Sequence, residues 1–179
     1  MTKRQIIVIA GKQFSGKDVV AGIILDILPD FKHVALSRAI KTEFEEQKNI
    51  TLKEIERNKH LYRAELIELG NKRRAEDPDY WIKKVLAEKG NIIISDLRLK
   101  YELKTFKKLN AISIRIESSR EERAKRGHIV QENDLTETEL DIVTNWDFII
   151  ENNGDLEALE KDVKKVAQSI REIPAFCCK

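Results

Sequence analysis

The 179 residues suffice for one domain but leave little room for a second independent core. Charged residues make up 36% of the chain, and 33 Lys and Arg against 31 Asp and Glu leave a net charge of +2. That balance excludes a broadly basic surface for a polynucleotide, so any anion recognition is local. No apolar stretch approaches the roughly 20 residues that span a bilayer. The apolar run before Gly11 is about five residues, too short for the hydrophobic region of a signal peptide. A cytoplasmic protein without a membrane partner is expected.

In chain order, "IIVIA" (6–10) reads as a buried strand and "GKQFSGKD" (11–18) as the turn that follows it. Gly11, Gly16 and Lys17 match a phosphate-binding loop, Gly-x4-Gly-Lys, which also contains Lys12, Gln13 and Ser15. The apolar-faced segment "KDVVAGIILDIL" leaves the loop as a helix. Backbone N–H groups and the helix N-terminus would therefore converge on a phosphate, with Lys17 reaching the terminal phosphates. The last letter departs from the pattern, because Asp18 stands where a Ser or Thr hydroxyl on magnesium is expected.

Further strands are expected at "HVALS" (33–37), "NIIISD" (91–96), "AISIRIE" (111–117) and "WDFIIEN" (146–152), with connections long enough for crossover helices. This alternation implies an α/β domain with a mostly parallel sheet. Thr51 opens a long charged helical region over 51–76, which Pro78 ends, and a further helix covers 79–88. The segment is too long for a simple crossover and reads as a helical insertion at the sheet's ligand-binding edge. In 155–171, Leu156, Leu159, Val163, Val166 and Ile170 fall on one helical face, with Asp155 as its N-cap. Cys177 and Cys178 are adjacent, without metal-ligand spacing, and read as free thiols in a mobile tail.

Asp96 ends an apolar strand, where a carboxylate can hold magnesium beside a phosphate loop or simply cap a helix. Arg38 and Lys41 follow the second strand, Arg63, Arg73 and Arg74 lie in the insertion, Arg98 follows "SD", and Arg120, Arg123 and Arg126 follow the fourth strand. Several of these fall just after strand C-termini, the edge that carries the loop. Arg120 and Arg123, three apart, share a helical face and can clamp a phosphoryl group together. His33, His60 and His128 form no triad or metal pattern. Many arginines without a catalytic base favour a phosphate as acceptor, since a monoester's second pKa of about 6 leaves it ionised at neutral pH. Tyr80 and Trp81 have two readings, a stacking surface for a nucleobase or the packing of the insertion's core.

Together, "GKQFSGKD", "YRAELIELGNKRRAEDPDYW", "IIISDLRLKYEL" and "DLTETELDIVTNWDFIIENNG" resemble the P-loop kinases that include phage and bacterial-type deoxynucleoside monophosphate kinases and animal-type phosphomevalonate kinases. The resemblance covers nearly the whole chain. It implies a three-layer P-loop kinase sandwich with a five-stranded parallel sheet, in a single domain over 1–179. It also implies a helical acceptor-binding insertion over 38–90 and a short Arg-bearing lid over 118–135. ATP and Mg2+ are the implied cofactors and a small phosphomonoester the implied substrate.

By matching motif, Lys12, Gln13, Ser15, Gly16, Lys17 and Asp18 would hold ATP and magnesium, with Asp96 sharing the metal. Arg74 and Arg98 would hold the acceptor phosphate, with Arg38, Lys41, Arg63, Tyr80 and Trp81 around it. Arg120 and Arg123 would be lid arginines, and Asn152 would lie near the adenine. Asp18 is then a subgroup marker, because these families carry Asp at that position. The acceptor expected first is a deoxynucleoside monophosphate, with phosphomevalonate as the alternative. Two other classes, a catalytically silent nucleotide-binding module and a binder of polynucleotide ends, fit the retained cations and the near-neutral charge less well.

Overall fold

Ile6 to Gly11 is buried at every position, the mark of a strand covered on both faces and hence of a parallel sheet's centre. The computed structural model describes residues 3–173 and 176–177. The chain runs β1 (Lys3–Arg4), β2 (Ile6–Gly11), α1 (Lys17–Ile27), β3 (Phe31–Val34), α2 (Leu36–Lys48), α3 (Leu52–Arg57), α4 (Lys59–Glu76), α5 (Tyr80–Leu86) and β4 (Asn91–Leu97). It continues through α6 (Lys100–Lys108), β5 (Ile112–Glu117), α7 (Arg120–Arg126), α8 (Leu135–Thr138), a 3-10 turn (Glu139–Ile142), β6 (Phe148–Glu151), α9 (Leu156–Glu172) and β7 (Phe176–Cys177). Two compact units result, one of Met1–His33 with Gly90–Lys179 and one of Val34–Lys89.

The first unit carries a five-stranded parallel sheet in the order β3-β4-β2-β5-β6. On one face Ile7, Ile9, Ile93, Ile114 and Ile150 pack with Val20, Ile24, Leu159, Val163 and Ile170 of α1 and α9. On the other, α6 lies against β2 and β5. Helices on both faces of one sheet make the three layers expected. The β2–β4 register shifts between Val8, opposite Ile94, and Ala10, opposite Leu97. Three steps along β4 therefore answer two along β2, and the extra residue falls at Ser95–Asp96, where such a bulge re-aims side chains.

The second unit is helical. Phe44, Ile55, Trp81 and Ile82 are each no more than 2% exposed. Here α2 packs on α3, α4 and α5. Thr51 caps α3 by accepting from the Glu54 N–H at 3.2 Å. The helical region expected over 51–76 is divided at Asn58, whose φ of −113° and ψ of 32° leave the helical range, into α3 and α4.

Three other expectations change. The strand expected at 33–37 lies at 31–34 and the chain is helical from Leu36, because a short apolar run does not distinguish a strand from the start of a buried helix. Leu156 is 58% exposed, so the inward face of α9 begins at Leu159, while Asp155 caps it by accepting from the Ala158 N–H. The tail is paired rather than loose at Cys177, which lies opposite Lys3 in an antiparallel ladder, while Cys178 lies outside the described residues. No helix among the described residues is long and apolar enough to cross a membrane.

Ile24 is fully buried between the sheet and α9. Ile24→Ala should cost about 2–5 kcal/mol in urea unfolding, whereas Leu156→Ala on the exposed start of α9 should stay within about 0.5 kcal/mol. Equal losses would contradict the assigned helix face.

Candidate active site

The loop after β2 closes tightly because two of its residues take positive φ, Phe14 at 58° and Gly16 at 98°. That geometry turns successive N–H groups toward one point. A Cβ at Gly16 would stand 2.4 Å from Asn152 Nδ2, and one at Gly11 would stand 2.8 Å from the Ile116 carbonyl oxygen, so both positions require glycine. Asn152, at the end of β6, braces the loop by donating from Nδ2 to the Ser15 carbonyl at 2.8 Å. Its main-chain carbonyl accepts from Arg126 Nη2 at 2.8 Å and its side-chain Oδ1 from the same nitrogen at 3.3 Å, so the side chain joins the loop to α7. The Ser15 hydroxyl is buried and has no hydrogen-bond partner among the described residues, which fits a site shaped for a phosphate oxygen.

Lys17, 8% exposed, lies back along the loop and donates from Nζ to the Lys12 carbonyl at 2.8 Å. Burial, reinforced by the Arg98 guanidinium, pushes its pKa down from 10.5 to about 8, while the Glu137 and Asp18 carboxylates pull the other way. A buried ammonium with a guanidinium nearby calls for an anion.

In the described structure those anions are carboxylates from one segment. Glu137, 8% exposed, accepts the Gln13 N–H on Oε2 at 2.8 Å and pairs through Oε1 with Arg98 Nη1. Asp141 takes Lys12 at 2.6 Å and Arg115 at 2.9 Å. Glu132 takes Arg120 at 3.0 Å and lies 3.8 Å from Arg123, whose Nη1 donates to the Gln13 carbonyl. The sequence reading missed these three acids. Their signal was the run of acids over 132–141 that follows the arginines of α7.

The residues expected to hold magnesium are Asp18 and Asp96. Asp18, in the first turn of α1, accepts on Oδ1 from the Ser95 hydroxyl at 2.8 Å, and the same oxygen of Ser95 is 2.8 Å from His33 Nε2. Asp96 is half-buried at the β4 bulge. No cluster of three or more His, Cys, Asp or Glu side chains exists among the described residues. This donor set suits magnesium, which takes one or two carboxylates and completes its shell with water and substrate phosphates.

In the helical unit, Arg38 is exposed in the first turn of α2, Lys41 pairs with Glu56, and Arg63 and Arg74 lie on α4. Trp81 is 1% exposed and donates its indole N–H to the Gly70 carbonyl at 3.1 Å, so it packs the unit's core and offers no stacking face. Tyr80 donates its hydroxyl to Glu43 at 2.6 Å, and its ring lies against Arg73 and Lys84. Burial pushes the Glu43 carboxyl up, but hydrogen bonds from Tyr80 and Arg73 outweigh it and hold the group below its ordinary range.

An open groove of about 510 Å³ runs along α7 and the turn after it, from Arg120 to Ile129. The family model for phosphomevalonate kinase matches residues 9–112, and that for deoxynucleotide monophosphate kinase matches residues 73–163. Among solved structures, a shikimate kinase from Acinetobacter baumannii in complex with shikimate is similar at 16% identity, over 94% of each chain, with a TM-score of 0.58. A gluconokinase from Sinorhizobium meliloti is similar at 14% identity, over 95% of this chain and 97% of that one, with a TM-score of 0.54. At these identities the likeness shows the fold.

The Lys17 shift sets a pH dependence of stability. Between about pH 8 and pH 10.5 the unfolded chain holds a proton on Lys17 that the folded chain has lost. The cost of burying the ammonium, fully present below pH 8, is therefore relieved as pH rises through that window. The stability of the wild type relative to Lys17→Met should be flat below pH 8 and should rise from there to pH 10.5 in urea unfolding. A difference that stays flat across the window would contradict the buried, depressed lysine.

Proposed function

We propose that this chain, which belongs to the phosphomevalonate kinase and deoxynucleotide monophosphate kinase families, transfers the γ-phosphoryl group of ATP to the phosphate of a small phosphomonoester, releasing ADP and a diphosphate. One observation carries this reading. The loop N–H of Gln13 and the guanidinium of Arg98 meet on the two oxygens of a single carboxylate, Glu137. A donor phosphate on the loop and an acceptor phosphate on Arg98 would be neighbours in the same way, which is the arrangement that transfer between two phosphates requires.

In this reading the loop N–H groups, the Ser15 hydroxyl and Lys17 hold the donor's terminal phosphates. Arg98 exchanges Glu137 for the acceptor phosphate. Arg120 and Arg123 neutralise charge on the transferring group, taking up phosphate oxygens in place of Glu132. Asp18 and Asp96 would hold magnesium, which when bound with the phosphates neutralises their charge. The acceptor oxygen attacks phosphorus as the bond to ADP breaks, and the chain supplies no general base because a monoester dianion needs none. That agrees with the histidines, of which His33 is engaged with Ser95.

The acceptor read first is a deoxynucleoside monophosphate, whose family model spans Arg98, the lid and the last strand. Phosphomevalonate is the second reading. Two observations favour it: its family model covers the whole helical unit, and the burial of Trp81 removes an aromatic face that a base would use. For either acceptor, Arg38, Lys41, Arg63 and Arg74 are assigned to it on the family resemblance.

With ATP and Mg2+, ADP should form with a deoxynucleoside monophosphate or with phosphomevalonate, and not with the corresponding deoxynucleosides or mevalonate. Turnover of phosphomevalonate and of no nucleotide would select the second reading. Lys17→Ala should lower turnover at least about a hundredfold, the cost of removing one group that stabilises transition-state charge, with circular dichroism unchanged. Near-normal turnover in that variant would refute the loop assignment.

A further inference from the structure

We propose that Ser95, backed by His33, is the positioning residue that fixes the Asp18 carboxylate for the metal ion. The inference rests on the assignment of Asp18 to magnesium made above. Asp18 is exposed in the first turn of α1, and the hydrogen bond to its Oδ1 comes from the Ser95 hydroxyl, 2.8 Å away on β4. Ser95 itself is 2% exposed, at the bulge where β4 carries one residue more than β2. The bulge sets the direction in which the Ser95 side chain leaves the backbone, and burial together with its two polar contacts holds the hydroxyl in place.

The third member fixes the proton. A serine hydroxyl has one hydrogen to give, and an ionised carboxylate can only accept. If Ser95 donates to Asp18, then His33 Nε2, 2.8 Å from the same oxygen, must be the donor to Ser95. The imidazole thereby occupies a lone pair of the hydroxyl and leaves its hydrogen directed at Asp18. Partners of this kind, behind a metal-binding carboxylate, orient it and tune its affinity. His33 stands on β3 at the edge of the sheet and is exposed, so it can be replaced without disturbing the core. Nothing in the phosphate chemistry described above uses Ser95 or His33, which leaves the chain of hydrogen bonds to Asp18 as their role.

The test compares Ser95→Ala, Ser95→Thr, His33→Leu, His33→Gln and Asp18→Ala by two measurements on the full chain. One is Mn2+ binding in the presence of ATP, followed by electron paramagnetic resonance. The other is the Mg2+ concentration for half-maximal turnover. Ser95→Ala should weaken Mn2+ binding about 10- to 100-fold and raise the Mg2+ requirement in parallel. His33→Leu should move both in the same direction. Ser95→Thr and His33→Gln, which keep the hydroxyl and a donor, should restore them. ATP binding in the presence of a chelator should be the same in the four Ser95 and His33 variants as in the wild type. If Asp18→Ala weakens Mn2+ binding while Ser95→Ala and His33→Leu leave it unchanged, the positioning role is wrong and the metal assignment stands. If Asp18→Ala itself leaves Mn2+ binding unchanged, the metal assignment fails and this inference falls with it.

Discussion

One buried carboxylate, Glu137, sets the geometry of the candidate site. Glu137 takes the Gln13 N–H of the loop on one oxygen and the Arg98 guanidinium on the other. It is almost fully covered, and a covered charge is tolerated only when its partners are in place. The loop backbone and Arg98 are therefore locked to a common point before any ligand arrives. Lys17 responds to the same crowding, its proton loosened first by burial and then by Arg98. In the function proposed above, an incoming phosphate would meet groups already oriented and would replace the carboxylates of Glu137, Asp141 and Glu132 on their cations.

The sheet order makes this convergence possible. The chain passes from β2 to β3 on one side and later from β4 to β5 on the other, so β2 ends at the point where the order reverses. Ligands of open α/β sheets bind beyond strand ends at such a point. The ends of four strands each deliver one part there. β2 gives the loop, β4 gives Ser95 and Asp96 with Arg98 just after it, β5 leads to the arginines of α7, and β6 is followed by Asn152, which holds the Ser15 carbonyl. No single segment contains the site, and none could form it without the sheet.

Much of this was legible in the chain. Gly11, Gly16 and Lys17 follow a buried strand and precede an apolar-faced helix, so the loop could be placed by local pattern, and the five apolar runs announced the sheet. The α2 start was misread because Leu36 is apolar in either state and only packing decides. The acids Glu132, Glu137 and Asp141 were visible as a charge run, but which group each meets depends on long-range pairing, across 124 residues for the Gln13 N–H and Glu137. Ser95 was invisible for a related reason. Its direction comes from a one-residue bulge, and nothing in "NIIISD" marks an irregular ladder. Trp81 carried two readings in the sequence, and its burial decides for core packing.

The central claim is that a phosphate on the loop is passed to a phosphate on Arg98. Phosphorus NMR of the enzyme with ATP, Mg2+ and each acceptor tests it directly, because it reports the bond formed rather than nucleotide consumed. The account predicts new mutually coupled resonances of a phosphoanhydride on the acceptor, growing at the rate at which the γ-phosphate signal of ATP declines. Decline of that signal into inorganic phosphate, with the acceptor resonance unchanged, would contradict it.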